Sequence, residues 1–213
     1  LRGLDGHLLS RGSVAIEFQK LVTYLESHTA PGETVAILLE QGPRYLLAIY
    51  ACMRTGRPFV PLKGSWPEER VAQVQAIAQF RLVLNDATYR MALAASQCEL
   101  SSVPQLAESA PLYIIFTSGT TGEPKGVVIS RGAYESFLQG LVVRLAEIPD
   151  GLSELVVADF TFDMSLLDVA LFLLKKTILS FTQFGNNIFK LAHEIETFQI
   201  EILVSVPNNL TML

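Results

Sequence analysis

The sequence predicts an α/β fold, a doubly wound and mostly parallel sheet with helices on both faces. Segments with apolar residues at helical spacing alternate with short apolar runs along almost the whole chain. These runs lack the polar–apolar alternation of half-exposed strands, which is typical of strands covered on both faces. Half of the 213 residues are apolar and only 17% are charged. Average soluble domains have about 25% charged residues, so the excess apolar surface must lie in a sheet covered on both faces or against a missing partner, and we expect both.

The elements of the first half follow from periodicity and from residues that favour helix ends. In the second helix, Pro43 occupies the first turn and Gly56 follows the last one, as helix-terminus preferences favour. The predicted elements up to residue 95 are helix Val14–Ser27, strand Thr34–Leu39, helix Gly42–Arg54, extended segment Phe59–Leu62, helix Pro67–Ala78, strand Arg81–Leu84 and helix Ala87–Ala95.

The alternation resumes after residues 96–111, a polar and proline-containing segment that we predict to be a linker or mobile loop. The elements predicted beyond it are strand Leu112–Phe116, helix Gly132–Glu147, strand Leu155–Ala158, helix Leu166–Leu174, strand Ile178–Phe181, helix Ile188–Phe198 and a buried strand over Ile202–Val206. A last apolar element begins at Pro207 and is interrupted at Leu213 within two turns. We therefore expect the chain to have been cut there; a natural one-turn terminal helix is the alternative.

Composition and charge exclude several classes of protein. The chain is too apolar for a disordered protein, and 16 basic against 21 acidic residues do not suit attraction to nucleic-acid phosphates. Apolar runs such as Tyr45–Met53 are too short to span a bilayer, which takes about 18 residues. Two cysteines, Cys52 and Cys98, favour a reducing, cytoplasmic setting. We expect neither nucleic-acid nor membrane partners, and no metal site on the widely spaced histidines His7, His28 and His193.

One loop carries the strongest chemical signal. After the strand that ends at Phe116, the chain concentrates hydroxyl residues, glycines and a lysine: Thr117, Ser118, Gly119, Thr120, Thr121, Gly122, Lys125 and Gly126. Glycines let backbone N–H groups approach anionic oxygens, hydroxyls donate hydrogen bonds to them, and lysine adds a positive charge. Open α/β sheets bind ligands at the carboxyl ends of their strands. The loop therefore predicts a polyphosphate site without the Walker pattern; an ordinary surface turn is the alternative.

The segment Thr117–Gly126, with the sequence TSGTTGEPKG, resembles the signature loop of the adenylate-forming (AMP-binding) superfamily. The superfamily includes acyl-CoA synthetases, luciferases, adenylation domains of nonribosomal peptide synthetases and D-alanine carrier-protein ligases. Residues 35–62 resemble its early core segment, although Lys63 stands where the family usually has an acidic residue. The resemblance covers nearly all of residues 1–213 and implies a partial N-terminal subdomain. It also implies that the loop binds the pyrophosphate portion of ATP and that Lys125 is catalytic.

A second motif, Phe162-Asp163-Met164-Ser165, lies at the start of a predicted helix. From the residues alone, Ser165 and Asp168 form a capping-box-like pair, which leaves Asp163 in the preceding loop. A solvated aspartate ahead of the helix is one interpretation. The resemblance implies instead that Asp163 pairs with the α-ammonium of an amino-acid substrate, with Phe162 beside it. The cost of burying an unpaired carboxylate also favours a cationic group on the substrate.

The resemblance implies ATP-dependent activation of a carboxylic acid, here an amino acid, as an acyl-adenylate. The acyl group would then pass to a carrier-protein phosphopantetheine thiol or to coenzyme A. ATP would bring Mg²⁺, whose main ligand we expect outside this chain. The family segments that hold adenine and ribose have no counterpart here, so we expect residues 1–213 alone to lack full activity. An acyl-CoA or aryl-acid ligase and a non-catalytic nucleotide-binding or interaction module remain open as alternatives.

Overall fold

A computed structural model describes residues 1–2, 8–95, 100–118, 123–182 and 187–205 of the chain. Its elements, in chain order, are α1 (Arg11–His28), β1 (Val35–Ile37), α2 (Pro43–Thr55), β2 (Phe59–Pro61), α3 (Glu68–Ala78), β3 (Leu82–Leu84), α4 (Asp86–Ala94), β4 (Pro111–Ser118), β5 (Pro124–Ser130), α5 (Arg131–Arg144), β6 (Ser153–Val156), α6 (Ser165–Lys175), β7 (Ile178–Phe181), α7 (Ile188–Thr197) and β8 (Ile202–Leu203). None of the helices described is long and apolar enough to cross a membrane.

The chain divides into two compact units, and each has its own sheet. The N-terminal unit comprises Arg11–Glu40 and Arg44–Phe137. The C-terminal unit comprises Leu1–Ser10, Gln41–Pro43 and Leu138–Leu213. The predicted α/β alternation is confirmed, with small differences at the ends of elements. The division into two sheets was not predicted, because periodicity identifies strands without saying which of them pair.

The sheet of the N-terminal unit has five strands in the order β3-β1-β2-β4-β5. Strands β1 to β4 pair in parallel, as predicted, and β5 runs antiparallel to β4 at the edge. Every residue of β1 and β2 is buried, which explains their continuous apolar sequences. The antiparallel edge strand brings the two ends of the signature loop together.

Strand β5 is the element that the sequence analysis did not predict. Four of its seven residues, Lys125 to Val128, are exposed, so no apolar run or clean alternation marks it. Its pairing partner is β4, with residues 113–118 of β4 opposite 124–129 of β5. The strand therefore depends on the ladder of backbone hydrogen bonds to its neighbour, which a single-sequence pattern does not reveal.

The predicted linker is held against the N-terminal unit over part of its length. Residues 96–99 lie outside the described residues, and 100–110 contain no helix or strand. A Cβ atom on Gly56 would lie 2.8 Å from Leu106 Cδ1 and 2.9 Å from Pro104 Cγ. Gly56 also has a φ of +74°, which L-residues with side chains rarely adopt. The chain therefore needs glycine at 56, while the mobility of the segment stays a prediction.

The C-terminal unit contains a parallel three-stranded sheet in the order β7-β6-β8. The Arg2 N–H donates to the Leu179 carbonyl of β7 at 2.8 Å, and the Arg2 guanidinium lies 4.5 Å from the centre of the Phe198 ring. The prediction of a buried strand over Ile202–Val206 needs correction. The strand covers Ile202–Leu203 and is half-buried, whereas residues 206–213 lie outside the described residues.

Candidate functional site

The signature loop joins the two strands of the β4–β5 hairpin. β4 ends at Ser118 and β5 begins at Pro124, and these residues pair directly across the hairpin. The next pair is Thr117 and Lys125, and both are exposed. Because directly opposite residues of an antiparallel pair project from the same face, these two side chains leave the hairpin side by side. The hairpin thus presents a hydroxyl and a positive charge at the base of the loop.

Lys125 is available to an anionic ligand. Within the part of the chain that the structure describes, its ammonium group forms no ion pair and no side-chain hydrogen bond. A lysine ammonium is a flexible point charge that can follow a phosphate group. Lys125 lies on β5 opposite the carboxyl end of β4, which agrees with the general location of ligand sites in open α/β sheets.

The other predicted loop residues cannot be placed. Gly119, Thr120, Thr121 and Gly122 lie outside the described residues, and so does the side chain of Ser118. Their contribution to a phosphate site therefore stays a prediction from the sequence.

Gly126 has a packing role that the sequence did not indicate. We expected the glycines of the motif to admit an anion to the backbone, but Gly126 lies within β5, opposite Phe116. A Cβ atom at Gly126 would be 3.0 Å from Phe116 Cζ and 3.1 Å from Ile114 Cγ2. Phe116 is buried and belongs to the core cluster that includes Val60 and Phe80. Glycine at 126 therefore makes room for the Phe116 ring.

The second motif forms the turn that connects β6 to α6 in the C-terminal unit. The Asp159 carboxylate accepts hydrogen bonds from the backbone N–H and the hydroxyl of Thr161, at 2.9 and 2.7 Å. The Asp159 carbonyl accepts the Phe162 N–H at 2.9 Å. The Ser165 N–H and hydroxyl both donate to the Phe162 carbonyl, at 3.1 and 2.7 Å. These bonds fix the turn from both sides and lead the chain directly into the helix.

Phe162 and Asp163 are both exposed on this turn. Phe162 is 51% exposed, whereas the neighbouring Phe160 is buried and lies against Phe181, with ring centroids 6.3 Å apart. Within the described residues the Asp163 carboxylate has no hydrogen-bond or ion-pair partner. Because Asp163 is solvated, the expected cost of an unpaired buried carboxylate does not apply to it.

The predicted capping-box pair of Ser165 and Asp168 is wrong. The residue at the N-cap of α6 is Met164, and it makes no side-chain capping bond. The Ser165 hydroxyl donates to the Phe162 carbonyl instead. Asp168 is 1% exposed, lies among the buried residues of α6 together with Val169, and interacts with Glu154 rather than with the backbone at the start of the helix.

Asp168 interacts with a second buried carboxyl group, Glu154 of β6, which the sequence analysis did not single out. One Glu154 oxygen, Oε2, accepts a hydrogen bond from the Thr177 hydroxyl at 2.7 Å. The other Glu154 oxygen and both Asp168 oxygens find no donor among the described residues while the two groups are ionised. Burial and the neighbouring Glu154 raise the pKa of Asp168, and burial raises the pKa of Glu154. A proton on one carboxyl group can form a hydrogen bond to the other. The sequence carries a signal for Asp168, which interrupts the apolar segment of α6, but not for Glu154, which follows Ser153 at the start of β6.

Within the residues described, no three His, Cys, Asp or Glu side chains are grouped so as to hold a metal ion. Of the three histidines, His28 stacks on Tyr24 with ring centroids 4.0 Å apart, and His7 lies outside the described residues. Cys52 is a buried free thiol whose pKa burial raises to about 12, and Cys98 lies outside the described residues. Cys52 is therefore a core residue.

The structure brings together the predicted residues of each motif. Thr117 and Lys125 are cross-strand neighbours in the N-terminal unit, and Phe162 and Asp163 share the turn before α6 in the C-terminal unit. Residues 9–213 match the family model described as AMP-binding enzyme. The chain belongs to this family. The resemblance inferred from the loop and from residues 35–62 is confirmed.

Relatives of this AMP-binding chain include a carrier protein ligase and an antimetabolite synthetase. It is 28% identical over 184 residues to a D-alanine–D-alanyl carrier protein ligase of Bacillus velezensis, covering 79% of this chain and 36% of that protein. It is 30% identical over 221 residues to the AMB antimetabolite synthetase AmbB of Pseudomonas aeruginosa, covering 97% of this chain and 17% of that protein. The chain thus spans well under half of these relatives.

Solved structures with the same fold include N-terminal subdomains. The N-terminal subdomain of Klebsiella oxytoca NpsA in complex with 3-hydroxyanthranilyl-AMSN superposes with a TM-score of 0.81 at 26% identity, covering 93% of this chain and 53% of that one. The inhibitor-bound N-terminal domain of FACL13 from Mycobacterium tuberculosis gives a TM-score of 0.84 at 17% identity, over 97% and 58% of the chains. The second likeness shows the fold alone.

Proposed function

We propose that this AMP-binding chain is part of an enzyme that activates an amino acid with ATP to form an aminoacyl-adenylate. The observation that supports the ATP site is the β4–β5 hairpin, which presents two exposed side chains at the base of the signature loop: Thr117 and Lys125, whose ammonium group has no ion-pair partner among the described residues. A substrate carboxylate and ATP are both anions, so a site that joins them must first neutralise charge. Lys125 and the loop hydroxyls and amides are the groups of this chain suited to that task.

In the proposed reaction, a substrate carboxylate oxygen attacks the α-phosphorus of ATP. A new acyl–O–P bond forms, the bond between the α-phosphorus and the bridging oxygen breaks, and pyrophosphate leaves with that electron pair. The Lys125 ammonium and the Thr117 hydroxyl would stabilise the negative charge that develops on the leaving pyrophosphate. A thiol, on a carrier protein or on coenzyme A, would then attack the acyl carbon and release AMP.

Mg²⁺ would accompany ATP and neutralise part of its phosphate charge. Since the described residues contain no group of ligands for a metal ion, we assign no step of the reaction to a metal site on this chain.

The choice of an amino acid as substrate depends on Asp163. Its carboxylate is exposed and has no partner among the described residues, on a turn whose backbone is fixed by hydrogen bonds on both sides. Such a carboxylate can form a charge-assisted hydrogen bond with a substrate ammonium, which contributes about 1.5–3 kcal/mol. The name of the D-alanine–D-alanyl carrier protein ligase, a relative at 28% identity, is consistent with this choice.

An aryl-acid or acyl-CoA ligase is the second candidate, and two observations favour it. Asp163 is stable as a solvated group without any cation, so its presence does not require an amino-acid substrate. NpsA, at 26% identity, was solved with a ligand that carries a 3-hydroxyanthranilyl group, which is an aromatic acyl group.

Substrate-dependent ATP–pyrophosphate exchange by the full-length protein tests both candidates. If Asp163 binds an α-ammonium, Asp163→Ala and Asp163→Asn should raise the KM for the amino acid by at least about tenfold, as expected for loss of a charged hydrogen bond. The KM for ATP should not change. Asp150→Ala is the matched control, because Asp150 is an exposed aspartate ahead of β6 that pairs with Lys175 and Lys176.

The deaminated acid with the same side chain separates the two substrate classes. An amino-acid enzyme should reject it in the wild type and accept it better after Asp163→Ala. If the wild type instead uses the deaminated acid and the amino acid equally, and Asp163→Ala has no effect, the enzyme is an acid ligase that does not recognise the substrate ammonium group. Absence of exchange with every acid would contradict the proposed activity itself.

A further inference from the structure

Glu154 and Asp168 form a buried carboxyl pair, and Asp168 belongs to the helix that begins directly after the turn carrying Asp163. Glu154 is on β6, the central strand of its sheet, and is 0% exposed, while Asp168 is in the first turn of α6. Two ionised carboxylates at such a position would repel each other and leave three oxygens without donors. Burying unpaired charge is costly, so the pair must be satisfied in another way.

We propose that Asp168 is a positioning residue: it shares one proton with Glu154, and the resulting hydrogen bond ties the first turn of α6 to β6 and thereby holds Asp163 in place. Glu154 is itself oriented by the Thr177 hydroxyl, 2.7 Å from its Oε2. The raised pKa values of both groups agree with retention of a proton near neutral pH.

Backbone hydrogen bonds connect the pair to the Asp163 turn. The Leu166 N–H donates to the Asp163 carbonyl and the Leu167 N–H donates to the Met164 carbonyl, both at 3.0 Å. The first turn of α6 and the Asp163 turn therefore form one hydrogen-bonded segment. If Asp168 moves away from β6, that segment must move with it.

Among the described residues, no positively charged side chain contributes to the electrostatics of Glu154 and Asp168. At the register positions that flank Glu154, β7 contributes Leu179 and β8 contributes Ile202, and neither strand contains a charged residue. The pKa shifts of the pair arise from burial, Thr177 and the two carboxyl groups themselves. The other charged residues of this unit, which do not contribute, include Asp150, Lys175, Lys190, His193, Glu194 and Glu201.

Amide hydrogen exchange in the full-length protein tests the shared proton without depending on enzymatic activity. At neutral to mildly alkaline pH, the closed pair holds one proton that the opened pair releases, so the protection factors of Leu166 and Leu167 should fall as the pH rises, by up to about tenfold per pH unit. Asp168→Asn supplies a donor that cannot ionise and should abolish this slope, and Glu154→Gln should do the same. The Leu62 amide, bonded to the Ile37 carbonyl in the N-terminal unit, is the internal control and should be unaffected.

Equal pH slopes in the wild type and in Asp168→Asn would overturn the proposal. The consequence for catalysis rests on the proposed function: the KM for the amino acid should rise with pH in the wild type more steeply than in Asp168→Asn, with no such difference in the KM for ATP. If the protein activates no acid, the proposed function fails while the exchange experiment still decides the role of the pair. If activity is present but the KM profiles of the two proteins coincide, Asp168 is not a positioning residue for the substrate.

Discussion

Replacing Arg57 with alanine should destabilise the N-terminal unit far more than replacing an exposed arginine. Arg57 is 3% exposed, and burial lowers the pKa of its guanidinium. It has no carboxylate partner within ion-pair distance among the described residues. Its Nη1 donates to the Thr55 carbonyl at 2.5 Å, and its Nε donates to Thr29 Oγ1 at 2.9 Å. Its Nη2 donates to the carbonyls of Thr29 and Leu25. The guanidinium therefore connects the end of α1 to the end of α2.

The loss of stability expected for Arg57→Ala depends on which carbonyl groups lose their only hydrogen-bond donor with the guanidinium. The Leu25 carbonyl also accepts the Thr29 N–H and hydroxyl, at 2.9 and 2.7 Å, so it stays satisfied. The carbonyls of Thr29 and Thr55 do not have such replacements among the contacts described. A buried acceptor left without a donor costs about 1–3 kcal/mol, and water can reach half-buried Thr29. We therefore expect Arg57→Ala to cost about 2–4 kcal/mol.

The assay is amide hydrogen exchange of the full-length protein, which reports local stability. The Val35 N–H, bonded to the Pro58 carbonyl at 2.9 Å, is a suitable probe beside Arg57. Arg90→Ala is the matched control, because Arg90 is exposed on α4 and should change stability by less than about 0.5 kcal/mol. A loss for Arg57→Ala that equals the loss for Arg90→Ala would refute the reasoning, since it would show that water replaces the guanidinium without cost.

Two further predictions concern the hairpin. Lys125→Ala should slow pyrophosphate exchange about 10²–10³-fold, as expected for loss of a group that stabilises transition-state charge, and should leave the KM for the carboxylic acid nearly unchanged. The control is Lys190→Ala, because Lys190 is exposed. An unchanged exchange rate for Lys125→Ala would contradict the assignment. Gly126→Ala should destabilise β5 by about 1–3 kcal/mol through overpacking against Phe116, and the hydrogen exchange of the β5 amides measures this loss. Gly140→Ala is the control and should cause no such loss, because a Cβ atom at Gly140 meets no atom within 4 Å.

The sequence predicted those parts of the fold that local patterns encode. β1 and β2 are buried along their whole length, so their apolar runs identified them directly. β5 was not identified, because it is mostly exposed and its conformation depends on pairing with β4. Such pairing is a tertiary property, and strand propensity is weak compared with it.

The candidate site was predictable to the extent that its chemistry lies in consecutive residues. TSGTTGEPKG identifies the hairpin loop and Lys125 from the residue types alone. The role of Gly126 could not be inferred in the same way, because it depends on Phe116 across the ladder. A glycine in a phosphate-binding motif can thus be required by the core rather than by the ligand.

Asp163 of the second motif and Asp168 of the helix that follows it show what decides whether an acidic residue is exposed or buried. Asp163 and Asp168 are five positions apart, yet Asp163 is exposed and Asp168 is 1% exposed. Asp163 precedes the helix, whereas Asp168 lies one turn after Ser165 on the face that is fully buried. Because nearly all the remaining residues of α6 are apolar, burying an ionisable side chain in this helix is costly unless it has a hydrogen-bonding partner. An acidic residue in such a helix therefore needs a polar partner, and Glu154, the buried acidic residue of β6, is that partner.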